Sequence, residues 1–386
     1  MRPKLLFTIG SLDYGGVAKS LLSLLSVIDK EKYSVSLLIA GRDYGYNKNV
    51  PKEIHIFSNN RLTNLVEGKR GIFKLIKKGD LLLAIASFFR MLLSYINKGW
   101  AGWWLSRIMP VITYDEYDLI VDYNGQHMLY YMVDRLKGHK KVTFFHSDYK
   151  NWRFYENLDR RYFPKVDKIF TISNICVKSI KEIFPNVAEK VCLMENITSP
   201  KYIQKLSYAP IKWQKKNKYV FISLGHVCIG KGSDIALEVA ELLKEKKIDF
   251  EWLFLGSLSN DLDYINIVEK KGLCNYISYC GNVNNPYPYI RKADIFIHLS
   301  RYEGKSIALD EAKILCKPIV VTNFSSVTDQ FTDGVNASIC EMNAASATNK
   351  ILELLDNSNL QKKYIEKLHT NCQDNSNEIE KIYKLI

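Results

Sequence analysis

Along the first fifty residues the apolar and polar positions change period three times. KLLFTIG is a short apolar run ending at a glycine, VAKSLLSLLSVID repeats apolar residues at helical spacing, and YSVSLLIAG is a second short apolar run. Short runs bounded by glycine predict buried parallel strands, and the helical period between them predicts the crossover, so this stretch reads as a βαβ unit with Gly15 and Gly16 at its first turn. Comparable runs at YDLIVDYN (117–124), KVTFFHSD (141–148), KIFTIS (168–173) and KVCLMEN (190–196) extend the pattern into a parallel-sheet α/β domain.

Between residues 197 and 218 the pattern lapses into ITSPKYIQKLSYAPIKWQKKNK, where prolines and lysines mark a boundary. The same grammar then restarts with YVFISLGHVCIGKG, SDIALEVAELLKEKK, DFEWLFLGSLS, NYISYCGNV, ADIFIHLS and KPIVVTN. The expected fold class is α/β: two doubly wound, Rossmann-like domains over residues 1–205 and 206–365, facing across a cleft at the carboxyl ends of their strands. A helical tail over 366–386 is expected to return to the first domain.

Composition narrows the setting. The eight cysteines (176, 192, 228, 274, 280, 316, 340 and 372) form no CxxC pair and lie mostly in apolar runs, which suits free thiols in a reducing, cytoplasmic compartment. The start lacks a secretory h-region with its cleavage site, and LLLAIASFFRMLLSYI (81–96) is interrupted by Arg90 and too short to span a bilayer. Of the net charge of +13, seven units fall within residues 61–113, where Lys and Arg interleave with FKLIKK, LLLAIASFFRMLL and GWAGWWL. Such an insertion suits peripheral attachment to an anionic membrane surface, while a solvated basic face on a packed helical insertion is the plainer reading. No aromatic base-stacking motif accompanies the basic excess, so nucleic acid is not expected as a partner.

The candidate chemistry concentrates in SRYEGKSIALDEAKILCKPIVVT, residues 300–322. After a strand, a tight turn leads into a helix whose first N–H groups attract phosphate. Gly304 allows close approach, Lys305 adds positive charge, Ser306 is the expected N-cap, and Ile307 opens the helix. Glu303 and Glu311 stand eight positions apart. Carboxylates beside a phosphate site are suited to ring hydroxyls, which points to a sugar nucleotide.

This E-x7-E stretch resembles the signature of the retaining glycosyltransferases of family 4, which have the GT-B fold and use nucleotide-diphosphate sugars. Gly15-Gly16, HSDY at 146–149, LMENI at 193–197 and LGHVCIGKG at 224–232 extend the resemblance over nearly the whole chain. It implies that Glu303 holds the donor sugar at the reacting carbon, Glu311 the ribose hydroxyls and Lys231 the diphosphate. It further implies that residues Gly304 to Ile307 cradle sugar and phosphate, that His146 touches the donor sugar from the opposite domain, and that the Gly15-Gly16 loop approaches the diphosphate. Where the family has arginine this chain has His226, a residue that carries charge only when protonated.

The implied reaction moves a hexose to a hydroxyl of a glycan, carried on a polyprenyl diphosphate lipid, at the inner face of the cell membrane in surface polysaccharide assembly. It needs no resident cofactor and no metal; Asp261-Leu262-Asp263 reads as a helix start rather than a metal site. A sugar-nucleotide epimerase and an inactive sugar-binding scaffold are the competing readings. His55, His127, His139, His298 and His369 receive no role from the sequence.

Overall fold

A computed structural model describes residues 2–12, 15–43, 46–370 and 374–386. The chain divides into two compact units, Met1–Ile197 with Asn375–Ile386, and Thr198–Asp374.

The first unit is built on seven strands: β1 Lys4–Ile9, β2 Ser34–Ile39, β3 His55–Ser58, β4 Glu116–Asp122, β5 Lys137–Phe145, β6 Lys168–Thr171 and β7 Val191–Leu193. They pair in parallel in the order β3-β2-β1-β4-β5-β6-β7. Successive residues of a strand face opposite sides, and both sides are buried. Leu6, Leu38 and Ile120 enter one core, whereas Leu5, Phe7, Leu37, Leu119 and Val121 enter the other.

The second unit has β8 Tyr219–Leu224, β9 Phe250–Leu255, β10 Ile277–Gly281, β11 Ile295–His298, β12 Ile319–Thr322 and β13 Ser338–Cys340. Their order is β10-β9-β8-β11-β12-β13, again all parallel. In each sheet the chain winds outward in opposite directions from an inner pair, β1 with β4 and β8 with β11. The crevice beyond the carboxyl ends of such a pair is where α/β sheets bind ligands.

The division between units falls after Ile197, where the sequence led to an expected boundary after residue 205. Helix Pro200–Ser207 packs on helices Tyr287–Lys292 and Ile307–Ile314, and the Leu206 carbonyl accepts a bond from Asn285 Nδ2 at 2.9 Å. At the other end, residues 366–370 complete helix Ser358–Thr370, whose Tyr364 and Leu368 lie in the cores of the second unit. The closing residues belong to the first unit: Ile379 and Ile382 enter its core, and Tyr383 stacks on Tyr33 at 4.7 Å.

Between β3 and β4 the insertion forms four helices, Asn60–Val66, Lys69–Lys77, Leu81–Ile96 and Lys98–Ile108. Seven cysteines are free thiols, and Cys372 lies outside the described residues.

Candidate functional site

Two loops of the second unit meet at the carboxyl ends of β8 and β11. These strands are neighbours, so residues far apart in sequence come together: Lys231 Nζ donates to Glu303 Oε1 at 2.6 Å across a separation of 72 positions. The same oxygen lies 2.8 Å from His298 Nε2. Burial alone would push the Glu303 carboxyl up, but the charge of Lys231 and the hydrogen bond from His298 outweigh it and hold the group at about 2. Glu303 is therefore ionised at neutral pH and only accepts hydrogen bonds, which places the proton of His298 on Nε2.

The Lys231 loop is held in place from both sides. Arg301 Nη1 and Nη2 bond the two oxygens of Asp234 at 2.7 Å each, Arg301 Nη1 also donates to the Ile229 carbonyl, and the Arg301 N–H donates to the Gly230 carbonyl at 3.0 Å. Gly232 turns this loop at φ 68°, where a Cβ would come within 1.9 Å of the Leu299 carbonyl oxygen. On its outer flank Asp261 accepts from the Ile229 N–H at 2.8 Å, while Asp263 accepts from the Asn266 N–H as the cap of helix Tyr264–Lys270. Both carboxylates of the DLD sequence thus serve backbone geometry. Among the described residues no three His, Cys, Asp or Glu side chains gather as metal ligands.

His226 is exposed on the same side of the sheet, its Nδ1 2.8 Å from Ser257 Oγ. It lines, with Lys231 and His298, a cavity of about 20 Å³, room for about one water molecule.

Gly304, Lys305 and Ser306 lead into helix Ile307–Ile314. Ser306 holds the expected N-cap position, but its side chain makes no capping bond. Gln330 braces the backbone of Ser306: its Oε1 accepts from the Ser306 N–H at 3.2 Å, and its Nε2 donates to the Ser306 carbonyl at 3.3 Å and to Asp310 Oδ1 at 3.0 Å. Glu311, on the first turns of this helix, is only 2% exposed, and Tyr287 Oη donates to its Oε1 at 3.0 Å.

The remaining expected residues lie at the carboxyl edge of the first unit's sheet. Gly15 caps helix Gly16–Val27 at φ −75°, a conformation open to any residue, so what glycine contributes there is a helix start without a side chain. His146 follows β5 and packs against Tyr123 and Phe144 at ring distances of 4.8 and 5.6 Å. Burial pushes its ring down to about 4, against the Tyr123 backbone bond, and its Nε2 is enclosed without a partner. His146 is therefore neutral at pH 7.

His298 and Arg301 are the residues that sequence reasoning missed. His298 ends the apolar run ADIFIH, where it reads as core, and Arg301 reads as a loop charge. The available signal was position: both sit at the carboxyl end of a strand beside the glycine turn.

Residues 209–369 match the family described as glycosyl transferases group 1, a stretch that contains Lys231, Glu303 and Glu311. The capsular polysaccharide biosynthesis glycosyltransferase CapH of Staphylococcus aureus is 29% identical over 164 residues, covering 38% of this chain and 45% of CapH. The matched stretches span less than half the length of such curated relatives. Among solved structures, a TarM variant of S. aureus, crystallised with fondaparinux, alpha-GlcNAc-glycerol and UDP, superposes with a TM-score of 0.70 at 13% identity, covering 100% of this chain and 99% of TarM. HepE of Anabaena, in complex with UDP and glucose, gives 0.66 at 16% identity, with 99% of each chain covered. At these identities the likeness is one of fold, the two-domain GT-B arrangement of glycosyltransferases.

Proposed function

We propose that this chain is a retaining glycosyltransferase that moves a hexose from a nucleoside diphosphate to a hydroxyl of a lipid-linked glycan in surface polysaccharide assembly. The observation that carries the reading is the ionised Glu303, held between Lys231 and His298 at the carboxyl ends of two adjacent strands, within the stretch that matches the glycosyltransferase family. CapH and TarM support the polysaccharide context, and the UDP of the TarM and HepE complexes makes UDP the first base to test.

Each residue has a stated task in this reading. The ammonium of Lys231 has three N–H donors, one of which is occupied by Glu303, leaving two for phosphate oxygens. The turn from Gly304 to Ile307 cradles sugar and phosphate, its Ser306 N–H being already bonded to Gln330, with Lys305 and His226 as flanking donors. Glu303 accepts from sugar hydroxyls and faces the positive charge that develops at the anomeric carbon. Glu311 holds the ribose hydroxyls, and neutral His146 and the Gly15-Gly16 turn serve the donor from the first unit.

As the bond from the anomeric carbon to the phosphate oxygen breaks, its electron pair leaves with the diphosphate. The acceptor oxygen bonds to the same face of that carbon, and its proton passes to the departing phosphate oxygen. No metal is required where Lys231 and a helix start neutralise that charge.

The same reading places the chain on the inner face of the cell membrane. No described helix is long and apolar enough to cross a membrane. Helices Lys69–Lys77 and Leu81–Ile96 nonetheless expose Phe73, Ile76, Leu82, Ile85, Phe88, Phe89, Leu92, Tyr95 and Ile96 beside Lys69, Arg70, Lys74, Lys77 and Lys78. Leu82 and Ile96 are 84% and 83% exposed. Each such side chain gains roughly 1.5–3 kcal/mol on full burial, and a bilayer interface supplies part of that. The tryptophans of Lys98–Ile108 are not the core of this face: Trp104 Nε1 donates to the Ala86 carbonyl, and Trp103 and Trp100 pack under Arg107 and Arg161.

The test is a thermal-shift panel of UDP-, GDP-, ADP- and dTDP-hexoses on wild type and Glu311→Ala, with EDTA present. Ligand at 100 times its dissociation constant adds about 2.7 kcal/mol of stability. The reading expects one base class to stabilise wild type and not the variant; stabilisation by none of them would overturn it.

A further inference from the structure

The first unit holds a second set of unsatisfied polar side chains besides His146. Arg90, on the inner side of helix Leu81–Ile96, has its Nε enclosed without an acceptor, and His127, at the start of helix His127–Arg135, has its Nε2 enclosed without a partner. Ser87, one helical turn before Arg90 on the same face, is fully buried with an unpartnered Oγ. Burial first, and then the charge of Arg90 acting on it, hold the His127 ring down to about 4. Buried side-chain donors nearly always find acceptors, so the unpaired Arg90 and His127 require a reason.

Among the described residues no carboxylate pairs with Arg90. The groups acting on its guanidinium are burial, which lowers its basicity, and the Tyr155 phenol. Glu67, which precedes Gly68 in the chain, is engaged by Arg42 and by Lys74 at 2.9 Å. Arg90 Nη2 lies over Gly68, 3.7 Å from where a Cβ would stand, at the turn between helices Asn60–Val66 and Lys69–Lys77. A guanidinium that is taken out of water without a counter-ion is costly; an oxyanion is the partner whose geometry its planar fork matches. His127 follows the carboxyl end of β4, the strand beside β1, which puts it at the ligand-binding edge of this sheet.

We propose that Arg90 and His127, with Ser87, form a binding site for a phosphate-type oxyanion, the diphosphate of the glycan acceptor. This deepens the glycosyltransferase reading and rests on it for the identity of the acceptor. Arg90 belongs to the helix whose outer face carries the exposed apolar side chains. A helix with its side chains is about 10–12 Å across, so the site lies within about that distance of the proposed membrane surface, where the phosphates of a lipid-linked glycan emerge.

The experiment uses the full chain in a Lys231→Ala background, which weakens phosphate binding in the second unit, with and without Arg90→Met. Thermal unfolding is followed in Hepes buffer, with sodium pyrophosphate, and with polyprenyl phosphate in neutral phosphatidylcholine vesicles. The expected result is a rise in melting temperature with pyrophosphate that Arg90→Met abolishes. In buffer alone Arg90→Met should melt at or above its parent, since an apolar side chain replaces an unpaired buried cation.

A shift given by vesicles alone, and lost in Arg90→Met, supports the site with a lipid headgroup as its source; a shift with free pyrophosphate supports it with a soluble one. The proposal is overturned if both chains respond alike, if neither responds to either probe, or if Arg90→Met melts lower in buffer, which would make Arg90 a structural residue. With wild-type Lys231, Arg90→Met should raise the acceptor KM about tenfold, the loss of one charge-assisted contact, and leave the donor KM unchanged. Because the thermal readout needs neither nucleotide nor transfer, its failure would leave the donor-binding reading standing.

Discussion

Glu303→Gln tests the charge at the centre of the second unit. The amide keeps the length of the side chain and an acceptor for His298 Nε2, but it removes the negative charge that Lys231 meets at 2.6 Å. Against the opposing effect of burial, Lys231 and His298 bring the carboxyl from 4.5 to about 2. A value depressed on folding contributes stability that is complete above the unfolded value and is lost as the pH falls through the folded one. A shift of that size corresponds to about 3 kcal/mol, and the side chain is only 10% exposed, so solvent screening removes little of it. Wild type should therefore exceed Glu303→Gln by about 3 kcal/mol at pH 7, keep most of that margin at pH 5, and retain only about 1 kcal/mol near pH 3. Urea unfolding followed by circular dichroism at the three pH values measures the margin, with the m-value checked for constancy. A margin of equal size at pH 7 and pH 3, or none at pH 7, would refute the argument that this carboxylate is held ionised by its two neighbours.

Other outcomes follow from the same geometry. Gly232→Ala places a Cβ against the Leu299 carbonyl at a positive φ, so thermal unfolding should show a loss larger than the roughly 1–2 kcal/mol of the left-handed conformation alone. Arg301→Lys breaks the two-pronged bond to Asp234, a pair about one-third exposed; stability should fall by less than about 1 kcal/mol, while steady-state kinetics should show a raised donor KM as the Lys231 loop loosens. Since burial holds His146 at about 4, the rate profile should show no inflection from it near pH 6.5, and NMR titration should find it neutral down to about pH 5. By the same sign, the stability that its burial as a neutral ring contributes is present above about pH 6.5 and is lost as the pH falls toward 4.

What the chain discloses before folding is uneven, for physical reasons. Apolar runs such as β1, β2, β8 and β9 stand out, and even short strands are read where nearly every residue is apolar, as in VCL of β7 and IFIH of β11, but β3 (HIFS) and β13 (SIC) hold two apolar residues each beside polar ones and leave no run to detect. Lys231, Glu303 and Glu311 were legible because a turn and a helix start constrain the residue types around them. That Lys231 and Glu303 touch depends on β8 and β11 being neighbours, a long-range pairing that no local pattern encodes. Ser306 stands at the N-cap position that its place before the helix suggests, but its side chain makes no capping bond, and the contact that braces its backbone comes from Gln330, 24 positions away, which no local pattern announces. Arg90 read as one charge of a basic surface; its place on the inner side of Leu81–Ile96 becomes visible only when that helix is packed against the rest of the unit.

The most direct test of the central claim is an NMR measurement of the product formed from a UDP-hexose labelled with carbon-13 at the anomeric position, with membrane-extracted glycan lipid as acceptor, for wild type and Glu303→Gln. Retaining transfer predicts a new anomeric signal of the donor's own configuration with wild type, and at least about a hundredfold less of it with the variant, the scale on which removal of one transition-state electrostatic contact acts. A product of inverted configuration, or label that is only isomerised within the free donor and never reaches the acceptor, would contradict the account.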